Sequence, residues 1–259
     1  MKKFRFAILG AGHIARQFCD AVSRIDGCEV CAVASKSLAR AENFAKENGV
    51  ENYYDDYEML LEKEKPDCAY IAVTSNDHYR LSVLCVNHSV PVLCEKAMFQ
   101  NSEEAKNLYA LASEKKIFVM EALWSRYLPA VRQAKRWVEQ EKIGTPTVLQ
   151  CNIGFVAPDD KENRYFDPKL GGGAAKDITV YAYEITTFIL NQVIRDISVS
   201  ATWSDTGVDV TDHVAICFED TFADKLCCTV RGADGNLWPI WKNRSSPSSL
   251  CIRGIFVWK

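Results

Sequence analysis

Nowhere in the 259 residues does an uninterrupted apolar run reach the length of a bilayer crossing, so no membrane-spanning helix is expected. One sign of charge does not dominate either. Lys and Arg number 31 against 34 Asp and Glu, and the net charge of −3 gives no reason to expect nucleic acid or an anionic membrane as a partner. No internal repeat or low-complexity linker is present. Histidine is scarce, at four residues, and no His/Asp/Glu group has metal-ligand spacing, so no metal is expected. A GxSxG elbow and a Cys–His nucleophile pattern are also missing. The opening MKKFRFAILG has the two lysines and apolar run of a secretory leader. The run breaks at Gly10-Ala11-Gly12-His13, and a buried first strand accounts for it better. A soluble, cytoplasmic protein is expected.

Cysteine, by contrast, is plentiful. Most of the eleven lie in apolar runs such as Cys68-Ala69-Tyr70-Ile71-Ala72-Val73, where they act as small buried hydrophobes. Cys28 and Cys31 form a lone CxxC, but their odd spacing puts them on opposite faces of a strand. Reduced structural thiols are expected.

The first 120 residues alternate strand-like and helix-like segments. Strands are expected at Phe4 to Gly10, Glu29 to Ala34, Cys68 to Val73, Val90 to Cys94 and Ile117 to Met120. Helices fall between them, among them Leu38 to Asn48, stopped by Gly49, and Ser102 to Lys115 with Ser102 as N-cap. This is the pattern of a doubly wound α/β domain with a parallel sheet. Beyond Trp124 a helix over Leu128 to Glu141 is followed by a strand over Val148 to Phe155. A polar loop and an apolar helix to Leu190 come next, then three closely spaced strand-like runs between Ile197 and Val230. They suggest antiparallel neighbours in an α+β domain with an open, mainly antiparallel sheet. The expected boundary divides residues 1–122 from 123–259.

A GxGxxA motif at Gly10 to Ala15 follows the first strand and opens a helix. Gly10 permits the tight turn, Gly12 lets backbone approach a pyrophosphate, and Ala15 keeps helix and strand close. His13 and Ile14 stand at the helix N-terminus that faces the anion. About 20 residues on, an NAD site usually carries an acid for the ribose 2′-OH. Here the chain reads Ser35-Lys36-Ser37, with Arg40 beyond. A hydroxyl and cations at that place favour NADP over NAD; the alternative is that Lys36 and Arg40 are solvated helix-start charges.

These motifs belong to a longer ordered set: Thr74-Ser75-Asn76-Asp77-His78, Cys94-Glu95-Lys96-Ala97, Glu121-Ala122-Leu123-Trp124, and Gly171-Gly172-Gly173 with Asp177 and Tyr181. In that order they resemble the glucose-fructose oxidoreductase/inositol dehydrogenase (Gfo/Idh/MocA) family. Within it, the resemblance is to the trans-dihydrodiol dehydrogenase and NADP-dependent D-xylose dehydrogenase group. The resemblance implies a Rossmann domain, then a domain whose open sheet pairs subunits into a homodimer. It implies that Lys96, at the family's Glu-Lys-Pro motif, lies beside nicotinamide and substrate, and that Thr74, Asn76, His78 and Glu95 belong to the cofactor site. Tyr181 takes the acid/base position, with Asp177 one helical turn earlier. A tyrosine of pKa ~10 is a poor base at neutral pH, and a neighbouring Lys96 ammonium would stabilise its phenolate. Trp124 and Arg126 are expected to shape a pocket for a sugar, polyol or cyclic diol. Read from the residues alone, Lys96 can equally be a solvated loop lysine, Tyr181 an amphipathic core residue, and His78 a helix-start residue; His88 and His213 read as structural.

Three departures from the family pattern stand out. Ala97 replaces a proline, and Thr179 replaces a glycine beside Lys176. The third is length: relatives run beyond 300 residues, whereas here residues 235–259 form an atypical tail without helix or strand periodicity. A truncated or frameshifted C-terminus that removes the last strands and exposes a sheet edge is the expectation. The function expected is hydride transfer between NADP and a small carbohydrate or diol; the rival is a non-catalytic dinucleotide-binding sensor or an inactive truncated member.

Overall fold

The computed structural model describes residues 2–158, 160, 162–231 and 251–258. It divides into two compact units, Met1–Ala122 and a second beginning at Leu123.

The first unit contains β1 (Phe4–Leu9), α1 (His13–Ser23), β2 (Cys28–Ala34), α2 (Leu38–Asn48), β3 (Asn52–Tyr54), α3 (Tyr57–Glu64), β4 (Cys68–Ile71), α4 (His78–Asn87), β5 (Val92–Cys94), α5 (Ser102–Lys115) and β6 (Val119–Glu121). The strands form one parallel sheet in the order β3-β2-β1-β4-β5-β6. Strand β1 shows why its sequence is apolar throughout. Ala7 and Leu9 enter the core on one face, Ile8 enters the core on the other, and all three are fully buried. Chain order reverses between β1 and β4, where ligands of open α/β sheets bind beyond the strand ends.

Two local expectations need correction. Helix α5 is capped by Asn101, whose side chain accepts from the Glu104 amide at 3.0 Å, and not by Ser102. Strand β3 went unforeseen, since three residues are too few to show a period. The described cysteines are free thiols, Cys28 and Cys31 included. Burial pushes the Cys31 thiol up to about 11, which keeps it protonated and unreactive.

The second unit contains a 3₁₀ turn at Trp124–Tyr127, α6 (Pro129–Glu139), β7 (Val148–Ala157), a π-helical turn at Ala175–Thr179 running into α7 (Val180–Leu190), β8 (Ile194–Trp203), β9 (Asp209–Phe218), β10 (Phe222–Arg231) and β11 (Cys251–Trp258). Its sheet runs β11-β7-β10-β9-β8. The pairs β8–β9, β9–β10 and β7–β11 are antiparallel; β7–β10 is parallel. The three closely spaced strands are antiparallel neighbours, as expected. Leu149, Cys151 and Ile153 of β7 and Val214, Ile216 and Phe218 of β9 face Ile178, Ala182, Ile185 and Ile189 in one core. The tail departs from expectation in one respect: Cys251–Trp258 is a strand beside β7. Residues 232–250 of that tail lie outside the described residues. Among the described residues no helix is long and apolar enough to cross a membrane.

Gly10 is the tightest point of the first unit. It has φ +114°, and a Cβ there would sit 2.5 Å from the Ala72 carbonyl oxygen and 2.7 Å from its carbon, both backbone atoms. Gly10→Ala is expected to lower the unfolding free energy by on the order of 1–3 kcal/mol from backbone strain alone, with the clash adding to it, measurable by urea denaturation.

Candidate functional site

In the first unit, α1 begins at Gly12 with no side chain capping its first turn. By contrast α2, α3 and α5 are capped by Ser37, Asp56 and Asn101, while α4, which continues from a 3₁₀ turn, also lacks a side-chain cap. The N–H groups at the start of α1 are therefore left for an anion. Gly12 adds to this: a Cβ there would meet only the Ala72 oxygen at 3.8 Å, an ordinary contact. The protein does not itself require glycine at that position, whereas it does at Gly10. Ala15 is fully buried in the cluster that contains Ile8 and Val33, so helix and sheet lie close. His13 is exposed and bonds Gln17 at 3.1 Å; Ile14 is exposed as well. An anion-binding phosphate loop fits these residues.

At the end of β2, Ser35 is buried and Lys36 is exposed. The sequence showed no carboxylate competing for Lys36. The structure supplies one from 41 positions away: Asp77 lies 2.6 Å from the Lys36 ammonium and 3.2 Å from Arg80. Burial pushes the Asp77 carboxyl up, but the hydrogen bonds from Lys36 and Arg80 outweigh it and hold it below the usual carboxylate range. Arg40 is exposed, its amide donating to the Ser37 hydroxyl at 3.4 Å.

His78 is buried. It is 1% exposed, with Nδ1 2.9 Å from the Ala97 carbonyl oxygen and Nε2 3.0 Å from that of Val73. The imidazole thus sits between the segment after β4, which carries Thr74 and Asn76, and the segment after β5, which carries Lys96, and in its neutral form donates to one of the two carbonyls. Burial lowers its pKa despite the two carbonyl contacts. The Lys96–Ala97 peptide is cis. Glu95 is held by the Tyr70 hydroxyl at 2.5 Å, and Tyr70 stacks on Phe18 with ring centres 3.8 Å apart. Burial raises the Glu95 carboxyl, with Tyr70 and Lys96 opposing.

In the second unit, Trp124 Nε1 donates to the Tyr181 hydroxyl oxygen at 2.9 Å, and the two rings meet edge to face. Next to it, Glu184 is 3% exposed. It accepts from the Ser125 hydroxyl, and from Arg126 Nε at 2.8 Å. Arg126 is therefore an ion-pair partner of a buried acid. Nothing in the sequence marked Glu184, which sits in an apolar helix and pairs across 58 positions.

Asp177 lies in the π-helical turn and Tyr181 at the second position of α7, so a regular α-helical turn does not separate them. Arg164 lies 3.6 Å from Asp177. Strand β9 braces the π-turn with two acids. Asp209 accepts from the Ala175 amide at 2.5 Å, and Asp212 from the Thr179 hydroxyl at 2.7 Å. Residues three apart on a strand normally face opposite ways. Here Thr202 pairs with Thr211 and Trp203 with Asp209, so Val210 is an extra residue that brings both acids to one face. The unusual Thr179 hydroxyl is thereby taken up by Asp212.

The structure also gathers Glu58, Glu62 and His88, with ligand atoms within 4.8 Å of one another, which the sequence spacing had not shown. Both glutamates are exposed, and His88 already bonds the Leu84 carbonyl at 3.0 Å.

Residues 4–123 match the description "Oxidoreductase family, NAD-binding Rossmann fold", and residues 131–236 match the "GFO/IDH/MocA C-terminal domain". The chain belongs to the Gfo/Idh/MocA oxidoreductase family. It is an NAD(P)-dependent dehydrogenase of that family. A mouse trans-1,2-dihydrobenzene-1,2-diol dehydrogenase is 31% identical over 229 residues, covering 87% of this chain and 68% of the relative. The fold is shared with an aldose-aldose oxidoreductase from Caulobacter crescentus (TM-score 0.81, 17% identity, 88% of this chain and 72% of the other). It is also shared with a variant 3-ketoreductase from Actinomadura kijaniata in complex with TDP-benzene and NADP (TM-score 0.81, 22% identity, 88% and 70%).

Burial, with the neighbouring Asp209 charge adding, pushes the Asp212 carboxyl up from 3.8 to about 6, against the Thr179 hydrogen bond. The folded chain then holds a proton between about pH 4 and 6 that the unfolded chain has released, so this group makes stability fall as pH rises through that window. Asp212→Asn is expected to raise the unfolding free energy at pH 7 by on the order of 1 kcal/mol and to flatten its slope between pH 4 and 6, read from urea melts across pH.

Proposed function

We propose that this dehydrogenase uses NADP(H) to interconvert a hydroxyl and a carbonyl on a sugar, polyol or cyclic diol. When bound, the nicotinamide supplies or accepts the hydride. Lys96 and Tyr181 are the residues that handle the accompanying proton: Tyr181 takes it from the hydroxyl in oxidation and returns it in reduction. The uncapped start of α1, open at Gly12, carries the dinucleotide reading. Ser35, Lys36 and Arg40, with no acid at the end of β2, support a 2′-phosphate. The names of the relatives support the substrate class. Ile197, Val199 and Trp203, exposed along edge strand β8, support self-association through the second sheet.

The Lys36–Asp77 pair favours a second reading of the cofactor. Asp77 can accept from the 2′-OH of NAD, the place usually held by an acid following β2. Thermal midpoints with NADP+, with NAD+ and with neither separate the two. The larger rise is expected with NADP+, about 2.7 kcal/mol of stabilisation at ~100-fold excess over Kd. A larger rise with NAD+ would transfer the assignment to Asp77. Gly12→Ala is expected to keep the fold and lose the ligand-induced rise.

Turnover of aldoses and trans-dihydrodiols tests the proton chemistry. Lys96→Ala and Tyr181→Phe are each expected to lower kcat about 10²–10⁴-fold; unchanged rates in both would discard these roles.

A further inference from the structure

An indole N–H can only donate, so in the 2.9 Å contact between Trp124 and Tyr181 the phenol oxygen is the acceptor. A donor aimed at that oxygen interacts more strongly once the oxygen carries a charge. The contact is not a chance meeting of two surface rings, because both partners are fixed from one buried carboxylate. Glu184 sits three residues after Tyr181 on α7. Its two oxygens take the Ser125 hydroxyl and Arg126 Nε, the two residues that follow Trp124 in the 3₁₀ turn. Arg126 also lies over the Phe188 ring, 5.3 Å from its centre, so its guanidinium is held on a second side by the same helix. The turn that carries the indole is thus fastened to the helix that carries the phenol.

We propose that Trp124 is a positioning residue for Tyr181: its N–H selects the phenolate form of Tyr181, and the Ser125–Glu184–Arg126 bracket holds it there. The proposal rests on the proton-handling role of Tyr181 set out above. It gives Trp124 a different task from lining a substrate pocket.

The charged groups on the surrounding elements, among the described residues, have partners of their own. Glu184 pairs with Arg126, Asp177 with Arg164, and Lys135 of α6 with Glu139 and the Phe188 carbonyl. On β9, Asp209 takes the Ala175 amide and Asp212 the Thr179 hydroxyl. Lys176 stands beside Asp177 in the π-turn. None of these residues is changed by replacing Trp124 with phenylalanine, which keeps an aromatic ring at that position and removes the N–H donor along with part of the indole.

Alkaline titration by ultraviolet difference spectroscopy tests this without substrate. The contribution of Tyr181 is obtained by subtracting the titration of Tyr181→Phe from that of the wild-type chain. The same subtraction is made in the Trp124→Phe background. Loss of the donor is expected to move the Tyr181 midpoint up by about one pH unit, a tenfold change in the phenolate fraction. Glu184→Gln, which keeps the shape but loosens the bracket, is expected to move it the same way by less. An unchanged midpoint in Trp124→Phe would overturn the proposal. The pH profile of kcat then separates this from the functional reading. If Trp124→Phe moves both the titration and the kinetic profile to higher pH with little change in KM, both stand. If the titration moves and the kinetic profile does not, Tyr181 is not the group that limits turnover, yet the Trp124 assignment holds. A raised KM with both profiles unmoved would return Trp124 to substrate contact.

Discussion

The first unit depends on the backbone of Gly10 passing against the carbonyl of Ala72. The end of β1 and the end of β4 meet at that contact, and no side chain fits between them. The turn it forces starts α1 at the place where chain order in the sheet reverses, and that is what presents uncapped amide groups above the strand ends. The next glycine, two positions on, is under no such constraint from the protein. A fold-required glycine and a glycine left open stand side by side in one loop, and only the second leaves room for a ligand. The buried imidazole of His78 then sits between the segments after β4 and β5, against a backbone carbonyl of each.

The second unit meets a different problem with buried acids. The chain before α7 is irregular, and its polar groups find partners on β9 and in the 3₁₀ turn at Trp124. Three carboxylates, Asp209, Asp212 and Glu184, answer an amide, two hydroxyls and a guanidinium. Removing one member of such a group leaves a buried donor or charge without its counterpart, which costs more than the bond itself contributes. This makes the region sensitive to single substitutions in a way that the apolar core below it, where volume is what matters, is not.

Much of the first unit was legible because its order is local. Strands buried on both faces spell continuous apolar runs, and Gly49 marks the end of α2 with φ +68°. What stayed hidden depends on distance along the chain. Asp77 reaches Lys36 from 41 positions away, and Glu184 reaches Arg126 from 58; neither spacing leaves a periodic trace. The choice of Asn101 over Ser102 as a cap turns on one residue's backbone angles. The bulge at Val210 is likewise invisible in a run that reads as plain strand, yet it decides which way two acids face. The family resemblance pointed to Lys96, Asp177 and Tyr181, but carried no information on Glu184, and it offered His78 as a cofactor residue without showing its contacts to the Ala97 and Val73 carbonyls.

The parallel pairing of β7 with β10 has a consequence for how the chain comes to be folded. Val148 finds its partner only at Phe222, and α7, β8 and β9 are threaded between them. Closing so long a loop is slow, because the entropy of the intervening chain is lost before the pairing returns anything. During synthesis β7 emerges well ahead of both its neighbours, β10 and then β11. For that interval its ten residues present an unpaired, largely apolar edge, the kind of surface that invites association with other nascent chains. Native pairing of β7 on both sides therefore waits on β10 and β11, the two strands of the second sheet that come last in the chain.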